Sequence, residues 1–335
     1  MRQASRRARA GVAAAATSAA LVGMTGGVAG AAPAAEPTAT TVAAFAPELA
    51  PEGIAVTPDG TVYVSTSGGG EVWELGADGA PTVEAVLAPT VAPGSFGVLD
   101  VAVDDAGRLY AAVASGVADT AGVWTWLPGG TPERIAGSER LAFPNAIAIA
   151  DDGTVFVSES FAGQVWRADG WAGELELWSD HPWLRGNGAL LGPALPVGAN
   201  GIVAQDGVLY VANTEEGSIL RFAIGADGPA GPPTVWSTSA RLVGIDGMTV
   251  GPDGVIYASL NQTSEVVRIS WDTSVTVLAT AADGIDFTSD LDFGSGDLER
   301  SVYAVNFSIG ELFGKTGGAG PGVVRIDHAA PPYQG

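Results

Sequence analysis

The sequence of 335 residues predicts an all-β fold: a six-bladed β-propeller of four-stranded antiparallel blades, its ring closed by an N-terminal strand. Three observations carry that prediction. One phrase recurs six times, starting at 53 (GIAVTPDGTVYVSTSGGGEVWEL), 100, 146 (AIAIADDGTVFVSESFAGQVWRA), 201, 247 and 290, so that successive copies begin 47, 46, 55, 46 and 43 residues apart. Within each copy, short stretches rich in Val, Ile and Tyr alternate in polarity, the period of strands rather than helices. Asp-Gly pairs at 59–60, 152–153, 206–207 and 253–254 separate the first two strands, and such pairs suit tight hairpins because both residues tolerate positive φ.

Each copy supplies three strands, and a fourth is readable in most: PTVEAVL, TPERIAG, ELELWSD, PTVWST and SVTVLAT. Four antiparallel strands in about 45 residues make one propeller blade. The sixth copy lacks an outer strand, and TVAAFAP at 41–47 is placed to supply it. That closure would remove an exposed sheet edge. A pair of β-sandwiches is the rival architecture.

Ahead of the ring, Arg2, Arg6, Arg7 and Arg9 precede a weakly apolar run and then the small residues AGAAPAAEP. This order predicts a secretory signal peptide over 1–32, with a flexible leader at 33–40, the propeller at 41–328 and a tail at 329–335. An anchor is the competing reading, disfavoured because the run is short and diluted by Gly, Thr and Ser. Without the signal the chain keeps 11 basic against 37 acidic residues, a net charge near −26. Such a chain would repel nucleic acid and anionic membrane. The absence of cysteine excludes disulfides and thiolate sites. The partner expected is a small molecule, with no nucleic acid and no membrane insertion.

The residue before each inner strand should face the mouth of the central channel. Reading that position around the ring gives Glu52, Leu99, Asn145, Asn200, Asp246 and Ser289. Two carboxylates and two amide oxygens form a hard ligand set that suits one divalent cation, Ca²⁺ best, with Zn, Mg or Mn open. Without a cation, Glu52 and Asp246 would repel each other in a low-dielectric funnel. Against this, Asn-Gly at 200–201 and Asp-Gly at 246–247 are also ordinary turn formers. Turn chemistry alone does not explain why four such residues keep one register.

With PEG at 51–53, Asn145 in the third copy, NG at 200–201, DGM at 246–248 and GPGVVRID at 320–327, the chain resembles the gluconolactonase/regucalcin-type propellers over about residues 50–328. The resemblance implies Glu52, Asn145, Asn200 and Asp246 as metal ligands, usually of Ca²⁺, Asp246 also as general base or nucleophile, and hydrolysis of a lactone or ester; with the signal peptide, the enzyme expected is an exported one. One departure stands out. Members acting on sugar lactones tend to carry Arg two residues before the third-copy Asn, where this chain has Phe143. With Leu99, that substitution suggests a less polar pocket.

Further residues are expected around the substrate. Glu159 ends a second strand on the site face, either orienting substrate or exposed in a loop. Asn213, Glu215 and Glu216 occupy the matching turn of the fourth copy. The long connection 179–199 is a candidate binding loop, with Trp183 and Leu190 or Leu191 shaping the pocket and His181 a candidate proton shuttle. No GxSxG elbow stands in a suitable context. The alternative to catalysis is a secreted propeller that binds a carbohydrate, peptide or protein around a structural ion.

Overall fold

The computed structural model describes residues 37–76, 79–225, 228–310, 318–327 and 329–330. The expected signal peptide, His328 and residues 331–335 lie outside them. Six four-stranded antiparallel sheets make up the ring; five are simple meanders from an inner to an outer strand, and the sixth takes its outer strand from the N-terminal segment. Inner strands are Pro51–Val56, Val98–Val103, Pro144–Ile149, Ala199–Gln205, Ile245–Val250 and Thr288–Phe293. Between neighbouring blades lies one apolar cluster per junction, from Tyr63, Val72, Val98 and Trp126 between blades one and two to Phe45, Val64, Tyr303 and Val323 where blade six meets blade one. The second strands Leu109–Val113, Val155–Glu159 and Ile256–Leu260 are buried on both faces, which explains their nearly continuous apolar runs. Among the described residues no helix is long and apolar enough to cross a membrane.

Ring closure is by the N-terminal segment. Thr38–Ala44 pairs antiparallel with Gly322–Asp327, from Thr38 opposite Asp327 to Ala44 opposite Gly322. The strand therefore starts inside the stretch expected to be a flexible leader and ends before Phe45. Ladder hydrogen bonds to the last strand hold residues 38–40, a long-range effect that their Thr/Ala composition does not signal. The expected tail is also partly packed: Ala329 and Ala330 are buried, and the Arg300 guanidinium donates to the Ala330 carbonyl at 2.7 and 2.9 Å. In blade two the fourth strand shrinks to Glu133–Arg134.

The turns differ from expectation in one respect. At 57–61 a Thr57–Gly60 turn is followed by a Thr57–Thr61 pair, with positive φ at Gly60 alone, and the Asp59 carboxylate accepts from the Thr61 amide. Only at Asp206–Gly207 do both residues take positive φ, as a two-residue hairpin requires. The Asp of the other pairs has no positive φ and serves as an Asx acceptor.

Candidate functional site at the channel mouth

Every inner strand carries an irregularity near its start. Pro51 lies opposite Thr66 but Ile54 lies opposite Val64, so one extra residue is inserted; the same slip occurs at 144/147, 199/202, 245/248 and 288/291, and at 98/100 in blade two. A bulge bends a strand and re-aims a side chain. Glu52, Leu99, Asn145, Asn200, Asp246 and Ser289 each sit second in their inner strands, one place inside the strand rather than before it. All six are buried.

Asn200–Gly201 and Asp246–Gly247 are thus not turns. The glycines are required by the close approach of the next inner strand. A Cβ at 201 would lie 1.9 Å from the Asp246 carbonyl oxygen, and one at 247 would lie 2.1 Å from Asp290 Oδ1.

The polar side chains are fixed by a chain of bonds running around the ring. Asn145 Nδ2 donates to Ser160 Oγ at 2.9 Å, and Ser160 Oγ donates to the Ala199 carbonyl of the next blade at 2.7 Å. Asn200 Nδ2 donates to Thr214 Oγ1 at 2.9 Å, which donates to the Ile245 carbonyl at 2.7 Å. Asn261 Nδ2 donates to Asp246 Oδ2 at 3.0 Å, and Ser289 Oγ donates to the Glu52 carbonyl at 2.6 Å. With the Asn145 and Asn200 NH2 groups engaged by hydroxyls, their carbonyl oxygens are the ends left for a cation.

Electrostatics link the carboxylates. Burial pushes Glu52 well above the usual carboxylate range, reinforced by Asp246, then Asp100 and Asp290. Burial also pushes Asp246 up to about 7, against hydrogen bonds from Asn261 and Asn200. The Arg–carboxylate pairs Arg268–Asp253, Arg325–Asp327 and Arg241–Glu265 lie on third strands and connecting segments, not on the inner strands. Two buried carboxylates in one register with two oriented amides are a donor set that fits a hard divalent cation. Among the described residues no group of three or more His, Cys, Asp or Glu is arranged to hold an ion, so the amides are essential to the set.

Below this tier the channel holds carboxylates absent from the sequence-based site. Asp100, Asp290 and Asp292 line a cavity of about 470 Å³ with Ile202 and Met248. Their signal was present: DVAV and DLDF carry Asp where the other inner strands carry Gly, Ala, Val or Thr.

The remaining candidates separate into two groups. Phe143 stays beside Asn145, its ring stacked on Phe161 at 4.0 Å and edge-on to Phe96 at 5.5 Å. Glu159 is buried, not an exposed loop carboxylate; its oxygens accept from the Phe143 and Ala162 amides at 2.8 and 2.5 Å, so it positions the backbone rather than facing solvent. Leu99 and Ser289 close the ring of six, Ser289 as an inter-blade bond. Trp183 is placed elsewhere. It is half exposed in a groove with Pro182, Leu220 and Val235 on the outer strands of blade four. Asn213 Nδ2 holds the Trp183 and Arg185 carbonyls at 2.9 Å each, and His181 Nδ1 accepts from the Trp183 amide at 3.3 Å as a helix cap. Glu215 is buried beneath the same loop, accepting from the amides of Asn187, Gly188 and Leu190.

Comparison with known proteins supports the architecture. The family profile described as strictosidine synthase-like, N-terminal matches residues 38–73. No curated protein matches the chain by sequence. Among solved structures, a gluconolactonase from Xanthomonas campestris is 19% identical with a TM-score of 0.59, covering 86% of this chain and 87% of its own. Virginiamycin B lyase from Staphylococcus aureus is 10% identical, TM-score 0.56, covering 87% and 99%. A protein of unknown function from Bacteroides thetaiotaomicron is 17% identical, TM-score 0.64, covering 87% and 76%. At these identities the likeness is one of fold: the chain is a six-bladed β-propeller.

Proposed function

We propose that the protein is an exported, metal-dependent hydrolase of lactone or ester bonds. The observation that carries this reading is the burial, in one register around one axis, of Glu52 and Asp246 with two amides whose NH2 groups are engaged elsewhere. Glu52, Asn145, Asn200 and Asp246 would hold one divalent cation, Ca²⁺ by preference for hard oxygens. When bound, it would supply Lewis-acid polarisation of the scissile carbonyl.

The chain's own groups do the rest. Asp246 takes the proton of the attacking water, a role suited to a carboxylate that burial raises toward neutrality. Asn261, donating to Asp246 Oδ2, holds that carboxylate in one orientation. Water oxygen bonds to the carbonyl carbon, the carbon–oxygen bond to the leaving alkoxide breaks, and the proton passes on to the alkoxide. Asn145 and Asn200, locked by Ser160 and Thr214, keep their oxygens fixed while charge develops.

The test is turnover of a lactone and ester panel with Ca²⁺ or EDTA, run in ¹⁸O-water. Hydrolysis places one ¹⁸O in the product carboxylate and is abolished by EDTA. Cleavage without ¹⁸O incorporation would replace hydrolysis with elimination, the kind of chemistry named for the lyase neighbour. Tight Ca²⁺ binding without turnover of any lactone or ester would leave a binding module with a structural ion.

A further inference from the structure

Resting on that reading of the site, the geometry points to a hydrocarbon-binding wall beside it: Phe96, Phe143 and Phe161 seat the apolar substituent of an uncharged lactone or ester, so the substrate is a hydrocarbon-substituted one and not a sugar lactone. Three observations carry this inference. The three rings come from separate segments: the blade-one-to-two connection, the residue two before Asn145, and the residue after Ser160, the hydroxyl that holds Asn145. They form one contiguous surface, stacked at 4.0 Å and edge-on at 5.5 Å. None belongs to an apolar cluster at a blade junction, and all three remain partly exposed, whereas Phe156 and Phe222 are fully buried core.

A structural role would bury these rings. Instead the fold invests polar groups in presenting them. Glu159, itself buried, accepts from the Phe143 amide at 2.8 Å, and the Ser160 amide donates to the Phe143 carbonyl at 3.2 Å. The backbone under Phe143 is therefore pinned on both sides. The ring position one blade earlier is apolar too, filled by the buried Leu99. Sugar recognition needs donors and acceptors at fixed places, which aromatic faces and leucine do not offer.

The experiment uses the purified protein with Ca²⁺ and two matched series. Isothermal titration follows the γ-lactams bearing butyl, hexyl and octyl chains, which bind without being cleaved. Initial rates follow the corresponding γ-lactones and glucono-δ-lactone. Lactam affinity should rise with chain length, by up to about fourfold per methylene where burial is complete. In Phe143→Ala and Phe96→Ala that dependence should flatten. Phe143→Leu, which keeps most of the volume, should retain part of it and serves if the alanine variant fails to fold.

Equal affinity across the lactams in the wild type would overturn the wall, as would an unchanged slope in both alanine variants or faster turnover of glucono-δ-lactone than of any alkyl lactone. A chain-length slope in binding with no hydrolysis of any lactone, nor of the matched alkyl esters, would leave the wall standing and remove the hydrolase reading.

Discussion

The channel contains two tiers of buried carboxylates, and they are satisfied in opposite ways. At the mouth, Asp246 takes its hydrogen bonds from side-chain amides, and Glu52 beside it is raised by burial and by Asp246. Deeper in, Asp100 accepts from the Ile147 amide at 2.7 Å, Asp290 from Ile54 at 2.9 Å and Asp292 from Val56 at 2.8 Å, each reaching a backbone N–H on a neighbouring inner strand. The lower tier laces the blades together. In the upper tier it is the proposed cation that would meet the charge of Glu52 and Asp246. Burial and charge alone therefore do not mark a functional carboxylate; the identity of its partners does.

The largest effect expected is at the mouth. Asp246→Asn and Glu52→Gln should lower lactone turnover by about 10²–10⁴-fold while circular dichroism shows an intact propeller. Retained turnover in both would erase the distinction between the tiers.

Next comes the pH dependence of the EDTA-treated protein. Burial raises Asp100 and Asp246 to about 7 and Asp292 to about 6. The folded state thus holds protons that the unfolded chain releases at about pH 4, and stability is fullest below that pH and declines as pH climbs to about 7. Melting temperatures should fall across this window. Saturating Ca²⁺ should lessen the fall, because ligand binding to the native state adds about 2.7 kcal/mol at a hundredfold excess over Kd. A flat profile without Ca²⁺ would contradict the burial of these charges.

Asp290→Ala probes the lower tier alone. It leaves the Ile54 amide without its acceptor and should cost about 1–3 kcal/mol of stability by urea denaturation, with turnover retained. The smallest effect is expected for Thr249→Val, which removes only the 3.2 Å bond to Asp292 and should cost about 1 kcal/mol. If Asp290→Ala instead abolished turnover without loss of stability, the two tiers would be one site.

Much of this was legible in one dimension. Repeats of near-constant length, Asp-Gly turns and alternating strands suffice for six blades, and a shared register picks out Glu52, Asn145, Asn200 and Asp246. What escaped depends on contacts between distant segments. Phe96 lies in a connection with no register to betray it, and it meets Phe143 only in three dimensions. Trp183 looked like a pocket residue because its loop is long and runs into Asn200, yet Asn213 and Glu215 tie that loop onto blade four. Asn-Gly at 200–201 looks like a turn locally; only the neighbouring strand's proximity shows why glycine is needed there.

The pairing of Thr38–Ala44 with Gly322–Asp327 has a consequence for how the molecule is made. The first described strand and its mate stand at opposite ends of the described chain, so the final blade cannot assemble until nearly all of the chain is available to fold. Ring formation is then a late, non-local step, of the slow kind associated with high contact order. During that interval the unpaired edge is open to wrong partners and depends on rapid completion or on a chaperone to stay soluble.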